Sequence, residues 1–510
     1  MADDNALYQM PECRGRNIVI FSDGTGQASG LLFDESRSNV YKLFRATRCG
    51  PDATIDPGGQ LAFYDPGLGS KLGGDHIKLR WFRKVYNVLS SATGLGISRS
   101  IMDCYSALVM LWRPGDRIFL FGFSRGAYTV RCLGGVLGLC GIPTTGENGK
   151  ALLRNPASIE KIAREAVKRV YAHGSGAGED RSSSKHEKQK QEDRKNRLSE
   201  QRKALGAQFR DKYSSNAPIT FSNAVLHFIG VWDTVAAVGI SPPAWRIVLA
   251  AAFAAGGIIS AGVAYYFAEG FDLHFAYLVS TFAGLSLIGW IVSLLLRVKF
   301  ATGLPGHPWY KTLHLTPIKM TFFDRSLNPH VRYARHALAI DERRADFDRV
   351  PWVNDGTPPN RELAEGPWFT QYWFAGNHSD IGGSYPENES RLSDISLEWM
   401  AEQAVKAGLI VDRRYLQLHG RPDGPQHDEC RVGISMLGFK FKWREQSRKM
   451  VDNATIHQSV MQRFKGEPVL IYDEEKLYRP ELIRNHVEFA SLFNPDLPTD
   501  IKLPNPDKIA

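Results

Sequence analysis

Cysteine is scarce in this chain: Cys13, Cys49, Cys104, Cys132, Cys140 and Cys430 are the only six among 510 residues. None forms a C-x-x-C pair, so a disulfide scaffold is excluded and the thiols read as reduced and cytosolic. Zinc-finger and RNP-like patterns are also missing, and no internal repeat is found. Met1-Ala2-Asp3-Asp4 has neither a basic n-region nor an apolar h-region, so the expectation is a retained N-terminus without a secretory signal. The basic excess is small, 63 Lys plus Arg against 54 Asp plus Glu for a net charge of +9, and it is scattered. Nucleic acid is therefore not expected as a partner. A basic face toward anionic lipid suits the distribution better, at about 1 kcal/mol per well-placed cation.

Apolar material is ample. Hydrophobic residues make up 43% of the chain and aromatics 11%, which excludes full disorder. The length predicts one large elaborated domain or two modest ones. Two runs depart from an ordinary globular pattern. Residues Ile247 to Ala268 and Phe275 to Leu296 carry no formal charge and are long enough to span a hydrocarbon core. They predict a transmembrane helical hairpin, with tip residues Glu269–Asp272 on the far side. Arg246, Arg297 and Lys299 flank it, which puts the rest of the chain on the cytoplasmic side.

The remaining chain alternates short apolar runs with helical spacing. Strands are predicted at Asn17–Ser22, Leu61–Tyr64, Arg117–Gly122, Ala224–Trp232 and Trp368–Ala375, and helices at Asn39–Thr47, Ile101–Trp112 and Ala127–Leu139. Such alternation predicts an α/β fold of the α/β-hydrolase kind, a mostly parallel sheet whose functional loops lie at the carboxyl ends of the strands. The hairpin, residues 245–298, divides it. A first catalytic part spans 1–240, including a charged excursion at 179–203, and a second spans 299–510 with a C-terminal extension.

Between a predicted strand and a predicted helix lies Gly122-Phe123-Ser124-Arg125-Gly126, the G-x-S-x-G nucleophile elbow. A serine there is held in a strained turn, and glycines on either side remove the Cβ atoms that would collide. The rival reading is an ordinary turn with a serine cap. The triad order Ser, Asp, His then selects Asp233 and His378, each just after a predicted strand. Asp233 could instead cap a turn, and His378 could be a satisfied polar group beside a capping Asp380. His336 and His457 are the substitutes. For the oxyanion hole, the Arg125 N–H is one expected donor, and Gly24 or Thr25 supplies the other.

The segments IVIFSDGTGQ, SNVYKLFRA, YDPGLGS, GFSRGAY, HFIGVWDTVAAVG, HALAIDERR, WFAGNHSDIGGSY and LSDISLEWM follow one another in that order. Together they resemble the catalytic domain of type VI secretion phospholipase effectors and their relatives, an α/β-hydrolase group. The resemblance runs from Arg16 to Arg463, interrupted by the hairpin. It implies a triad on Ser124, Asp233 and His378, with Asp23 and Asp65 as organisers of the site; Asp380 joins them as a third candidate.

The expectation is thus a membrane-anchored serine hydrolase that cleaves a lipid carboxylic ester, phospholipid first. It would be integral to a bacterial inner membrane, with its catalytic domain cytoplasmic, membrane lipids as substrate and no cofactor or metal. Calcium near the Asp-rich strand ends is the one cation considered, without EF-hand spacing to place it. Two alternatives stand beside this: a metal-dependent phosphoesterase using Asp23, Asp65, Asp233, His378 and Asp380, and a non-catalytic membrane scaffold. The sequence leaves the oligomeric state open.

Overall fold

The structure, a computed structural model, describes residues 15–24, 36–67, 95–174, 185–218, 221–235, 256–262, 265–266, 271–304, 306, 308–315, 327–328, 330–352, 362–363, 366–436 and 439–493. Its centre is a six-stranded sheet of β1 (Asn17–Ser22), β2 (Gln60–Asp65), β3 (Arg117–Phe123), β4 (Leu226–Trp232), β5 (Tyr333–Ala339) and β6 (Phe369–Phe374). In space the order is β6-β5-β4-β3-β1-β2, and every pairing is parallel. Strands β1, β3 and β4 are largely apolar on both faces because both faces are covered. Ile18 and Ile20 of β1, with Ile118 and Leu120 of β3, face one core; Val19, Phe21, Phe119 and Phe121 face the other.

Helices α1 (Asn39–Thr47), α2 (Leu95–Leu111) and α3 (Arg125–Cys140) follow β1, precede β3 and follow β3 respectively. The α3 helix packs with α2 on the first core, whereas α1 lies on the second. The charged excursion becomes the long helix α4 (Lys185–Tyr213). Its second half is held by Leu198, Leu205, Phe209 and Tyr213, all buried, while most of its first half lies in solvent. Residues 179–184 lie outside the described residues.

The expected transmembrane hairpin is not carried by this structure: among the described residues no helix is long and apolar enough to cross a membrane. Of the first run, only 256–262 and 265–266 are described, as helical pieces, and Arg246 lies outside them. The second run belongs to α5 (Phe271–Arg297), which also takes in Asp272, His274 and Arg297, so part of the expected acidic tip is helix instead of loop. What the segment does show is apolar side chains in solvent. Ile258 is 74% exposed, Tyr266 84%, Ile288 60% and Trp290 63%.

The β5 strand is the one sheet member that periodicity missed. Its sequence YARHALA carries Arg335 and His336 in the sheet interior, where each finds partners: Arg335 bonds Gln403 and three backbone carbonyls, and His336 bonds Gln371. After β6 the chain forms the short α6 (His378–Gly382), then α7 (Arg391–Lys406) on the second core, and later α8 (Gln458–Lys465). A third core of Trp373, Val460, Phe464, Tyr478 and their neighbours seats the C-terminal extension against β5 and β6. Among the described residues the cysteines are free thiols.

Candidate active site

The elbow is built by sterics. β3 runs to Phe123, α3 starts at Arg125, and Ser124 between them has φ 57° and ψ −121°, a conformation that L-residues seldom adopt. A Cβ on Gly122 would lie 2.5 Å from the Gly126 carbonyl oxygen, and one on Gly126 would lie 2.0 Å from that of Ser22. Helix α3 can therefore approach β1 and β3 only with glycine at both places. Ser124 donates its N–H to the Trp232 carbonyl at 3.1 Å, which ties the turn to the end of β4. Its side chain does not cap α3, against the serine-cap reading.

Asp233 is the next residue after β4 and, like Ser124, has positive φ, 39°. Its carboxylate is fully buried and accepts four hydrogen bonds. Oδ1 takes the Ala339 N–H at 3.1 Å and Arg448 Nη1 at 2.6 Å, and Oδ2 takes Arg448 Nη2 at 2.9 Å and His378 Nδ1 at 2.5 Å. Burial alone would push this carboxyl up. The Arg448 guanidinium and the His378 bond outweigh it and hold the group far below the ordinary carboxylate range.

His378 opens α6, whose N-cap Asn377 and Asp380 form a reciprocal capping box. Its ring stacks on Phe123, the residue before Ser124, at 4.6 Å between centroids, and meets Phe347 edge-on at 5.2 Å. The backbone N–H is held by Glu342 Oε2 at 3.2 Å, and Glu342 pairs with buried Arg344. With Nδ1 bonded to Asp233, Nε2 is the nitrogen left over; it is buried and has no hydrogen-bond partner among the described residues. Burial lowers the imidazole below its ordinary value, against the pull of Asp233. Ser124, Asp233 and His378 thus gather at the carboxyl ends of β3, β4 and β6. No hydrogen bond joins Ser124 to His378 in this conformation.

The expected organisers do different work. Asp23 lies at the end of β1 and accepts from Ser38 Oγ (2.5 Å), Tyr64 OH (2.6 Å) and the N–H of Gly24 (2.7 Å). Burial pushes its carboxyl up to about 6. The Gly24 amide is therefore already engaged, and in this conformation it is not the second oxyanion donor. Thr25 lies outside the described residues. Arg125, at the first position of α3, keeps its amide at the helix N-terminus, and burial lowers its guanidinium to about 10. Asp65 accepts from Ser22 Oγ at 2.9 Å, and burial raises it as well. Asp380 is a cap: its oxygens take the Asn377 N–H, the His427 N–H and His427 Nδ1. The substitutes are placed elsewhere. His336 lies within β5, and His457 caps α8.

These engagements bear on the phosphoesterase set. The carboxylate oxygens of Asp233 and Asp380 are already occupied by protein donors, and among the described residues no group of three or more His, Cys, Asp or Glu side chains could hold a metal ion.

Arg448, Glu342, Arg344 and His427 escaped the sequence reading. Glu342 and Arg344 fall inside HALAIDERR, whose dense charge was a usable signal. His427 and Arg448 had none.

A parallel sheet with its polar cluster at the carboxyl edge, beside a strained serine turn, defines an α/β protein with an enzyme-like site. The chain belongs to the family described as type VI secretion system phospholipase effector Tle1-like, catalytic domain, whose model matches residues 16–262 and 300–403. An uncharacterized protein of Saccharomyces cerevisiae is 26% identical over 230 residues, which is 44% of this chain; the chain spans only 27% of that relative. Among solved structures, an uncharacterized protein from Pseudomonas aeruginosa is 16% identical with a TM-score of 0.32, covering 82% of this chain and 49% of that one. The Tle1 effector, solved bound to the VgrG spike of the type VI secretion system, is 12% identical with a TM-score of 0.33 and coverages of 80% and 77%.

Proposed function

We propose that the chain is a serine hydrolase that cleaves a carboxylic ester of a membrane lipid, phospholipid first, through Ser124, His378 and Asp233. The observation that carries this is the Asp233–His378 pair set beside the strained serine turn, with Nε2 of His378 unpartnered. In this reading Nε2 takes the Ser124 proton as Oγ attacks the ester carbonyl. The proton then passes to the leaving alcohol, an acyl-enzyme forms, and water attacks it by the same route in reverse. Asp233 fixes the tautomer and stabilises the imidazolium. The Arg125 amide, at the start of α3, meets the developing oxyanion. No cofactor is required.

A bilayer is the proposed partner. The apolar side chains that residues 256–313 leave in solvent, from Ile258 to Trp309, are what a lipid surface would cover. Lipid analysis of vesicles incubated with wild type and with Ser124→Ala is the test. A fatty acid and lysolipid that appear only with wild type support the proposal; equal product from both proteins sinks it.

A further inference from the structure

We infer that Arg448 is the positioning residue of this site: it fixes the carboxylate of Asp233 and thereby sets the lower pH limit of catalysis. The inference rests on the triad reading above and adds a member that never touches substrate.

Arg448 is wholly buried and its hydrogen bonds converge on one place. Two run to the two oxygens of Asp233, at 2.6 and 2.9 Å, and two more run to the carbonyls of Ala339 and Phe347. A guanidinium is planar, so this bidentate grip fixes the plane of the carboxylate, and the Ala339 N–H removes the remaining freedom. Oδ2 is then held toward Nδ1 of His378, 2.5 Å away. A lysine could supply the charge but not the fork.

The second consequence is electrostatic. In a Ser-His-Asp site an unpaired aspartate favours the imidazolium, which helps proton abstraction but also lets the free enzyme protonate and stall in mild acid. Here the aspartate charge is shared with a cation. The other groups around the pair are Glu342 at the His378 backbone, Arg344, whose guanidinium lies 3.6 Å from the centre of the Phe347 ring, and Arg349 and His336 near Asp233. Phe123 and Phe347 close the ring faces. His378 is thus faced by the carboxylates of Asp233 and Glu342 and by the cation of Arg344, Asp348 lies near Arg448, and Arg448 is the cation bonded directly to its partner Asp233. Removing it should let His378 protonate at higher pH.

The test uses full-length protein in detergent and the rate of Ser124 labelling by a fluorophosphonate between pH 4 and 9, with Ser124→Ala as the blank. Folding is checked by near-ultraviolet circular dichroism. For Arg448→Gln the expected result is an acid limb moved up by about one pH unit, because a neighbouring Arg is worth about one to three units on a carboxylate and part of that passes to its bonded partner, with a maximal rate down about tenfold or more. For Arg448→Lys the limb stays near that of wild type while the maximal rate falls several-fold. A purely structural role would reduce the folded fraction and leave the limb of that fraction unmoved, so an unmoved limb in folded Arg448→Gln overturns the inference. Should the Gln variant fail to fold, a wild-type maximal rate in Arg448→Lys overturns it. Labelling that persists in Ser124→Ala would instead overturn the triad reading on which it stands.

Discussion

Two regions of this molecule treat buried and exposed chemistry in opposite ways. At the carboxyl edge of the sheet, Asp233, Arg448, Glu342, Arg344, Asp380 and His378 are all withdrawn from water, yet nearly every polar atom has a partner. In the segment between β4 and β5, Tyr266, Ile288 and Trp290 stand in solvent with their apolar surface uncovered. Charge is inside at one place and grease outside at the other, and each inverts the usual rule. Buried charge is kept where its orientation matters for reaction. Uncovered apolar surface is kept where something else will cover it. On the proposed function, the contrast separates a site that would make and break bonds from a surface that would bring the protein to its substrate.

Single substitutions can break that separation, starting with the largest expected effect. His378→Gln removes the proposed base, and activity on any ester should fall by about 10⁴-fold while flotation with vesicles is unchanged. If hydrolysis and vesicle binding fell together, the two regions would not be independent. The converse change is Ile288→Ser with Trp290→Ser. It should weaken vesicle flotation about tenfold or more, since each buried apolar side chain is worth about 1.5–3 kcal/mol, and leave the hydrolysis of a soluble short-chain ester near wild type.

His427 sharpens the polar side of the comparison. Its ring stacks on Tyr385 and bonds Asp380 at 2.8 Å and Glu389 at 3.1 Å. Burial would lower it, but the two carboxylates raise it above its ordinary value. The stabilisation from protonated His427 is therefore fully present below the unfolded-state pKa of about 6.5 and is lost as pH rises through the folded value. Thermal melts of wild type should show this decline as pH rises above about 6.5, and His427→Gln should flatten it. An identical pH profile in the variant would show that the ring is not charged in the fold. Smallest of all, reversing charges in the solvent-facing first half of α4, for example Glu192→Lys, should move stability by no more than about 0.5 kcal/mol in a urea melt.

Much of the sheet could be read from sequence because its strands are uninterrupted apolar runs ending in polar loops, as at Asn17–Ser22 and Arg117–Phe123. The elbow was legible for a local reason: two glycines record a backbone collision that any side chain would cause. Asp233 and His378 could be picked out because each follows a strand, and the structure bonds them to one another. β5 was not, since buried Arg335 and His336 disguise a strand whose polar groups are satisfied by side chains far along the chain. Arg448 was not, because an ion pair with a partner 215 residues away leaves no local spacing. The membrane hairpin was read from uncharged apolar length and basic flanks. The structure replaces part of its tip with helix and leaves its first half largely outside the described residues.

The distance between Asp233 and Arg448 along the chain also orders events in time. A ribosome completes Ser124, Asp233 and His378 well before Arg448 appears, and Arg448 lies beyond the last residue that the family model matches. Until it emerges, the aspartate at the end of β4 faces burial without a counter-charge, at a cost of several kcal/mol. The nascent chain can assemble most of its sheet, but the partner that makes the carboxylate tolerable in the interior arrives last. On the proposed function, the site stays unarmed until Arg448 has been synthesised, and its competence waits on a residue made after all three members of the triad.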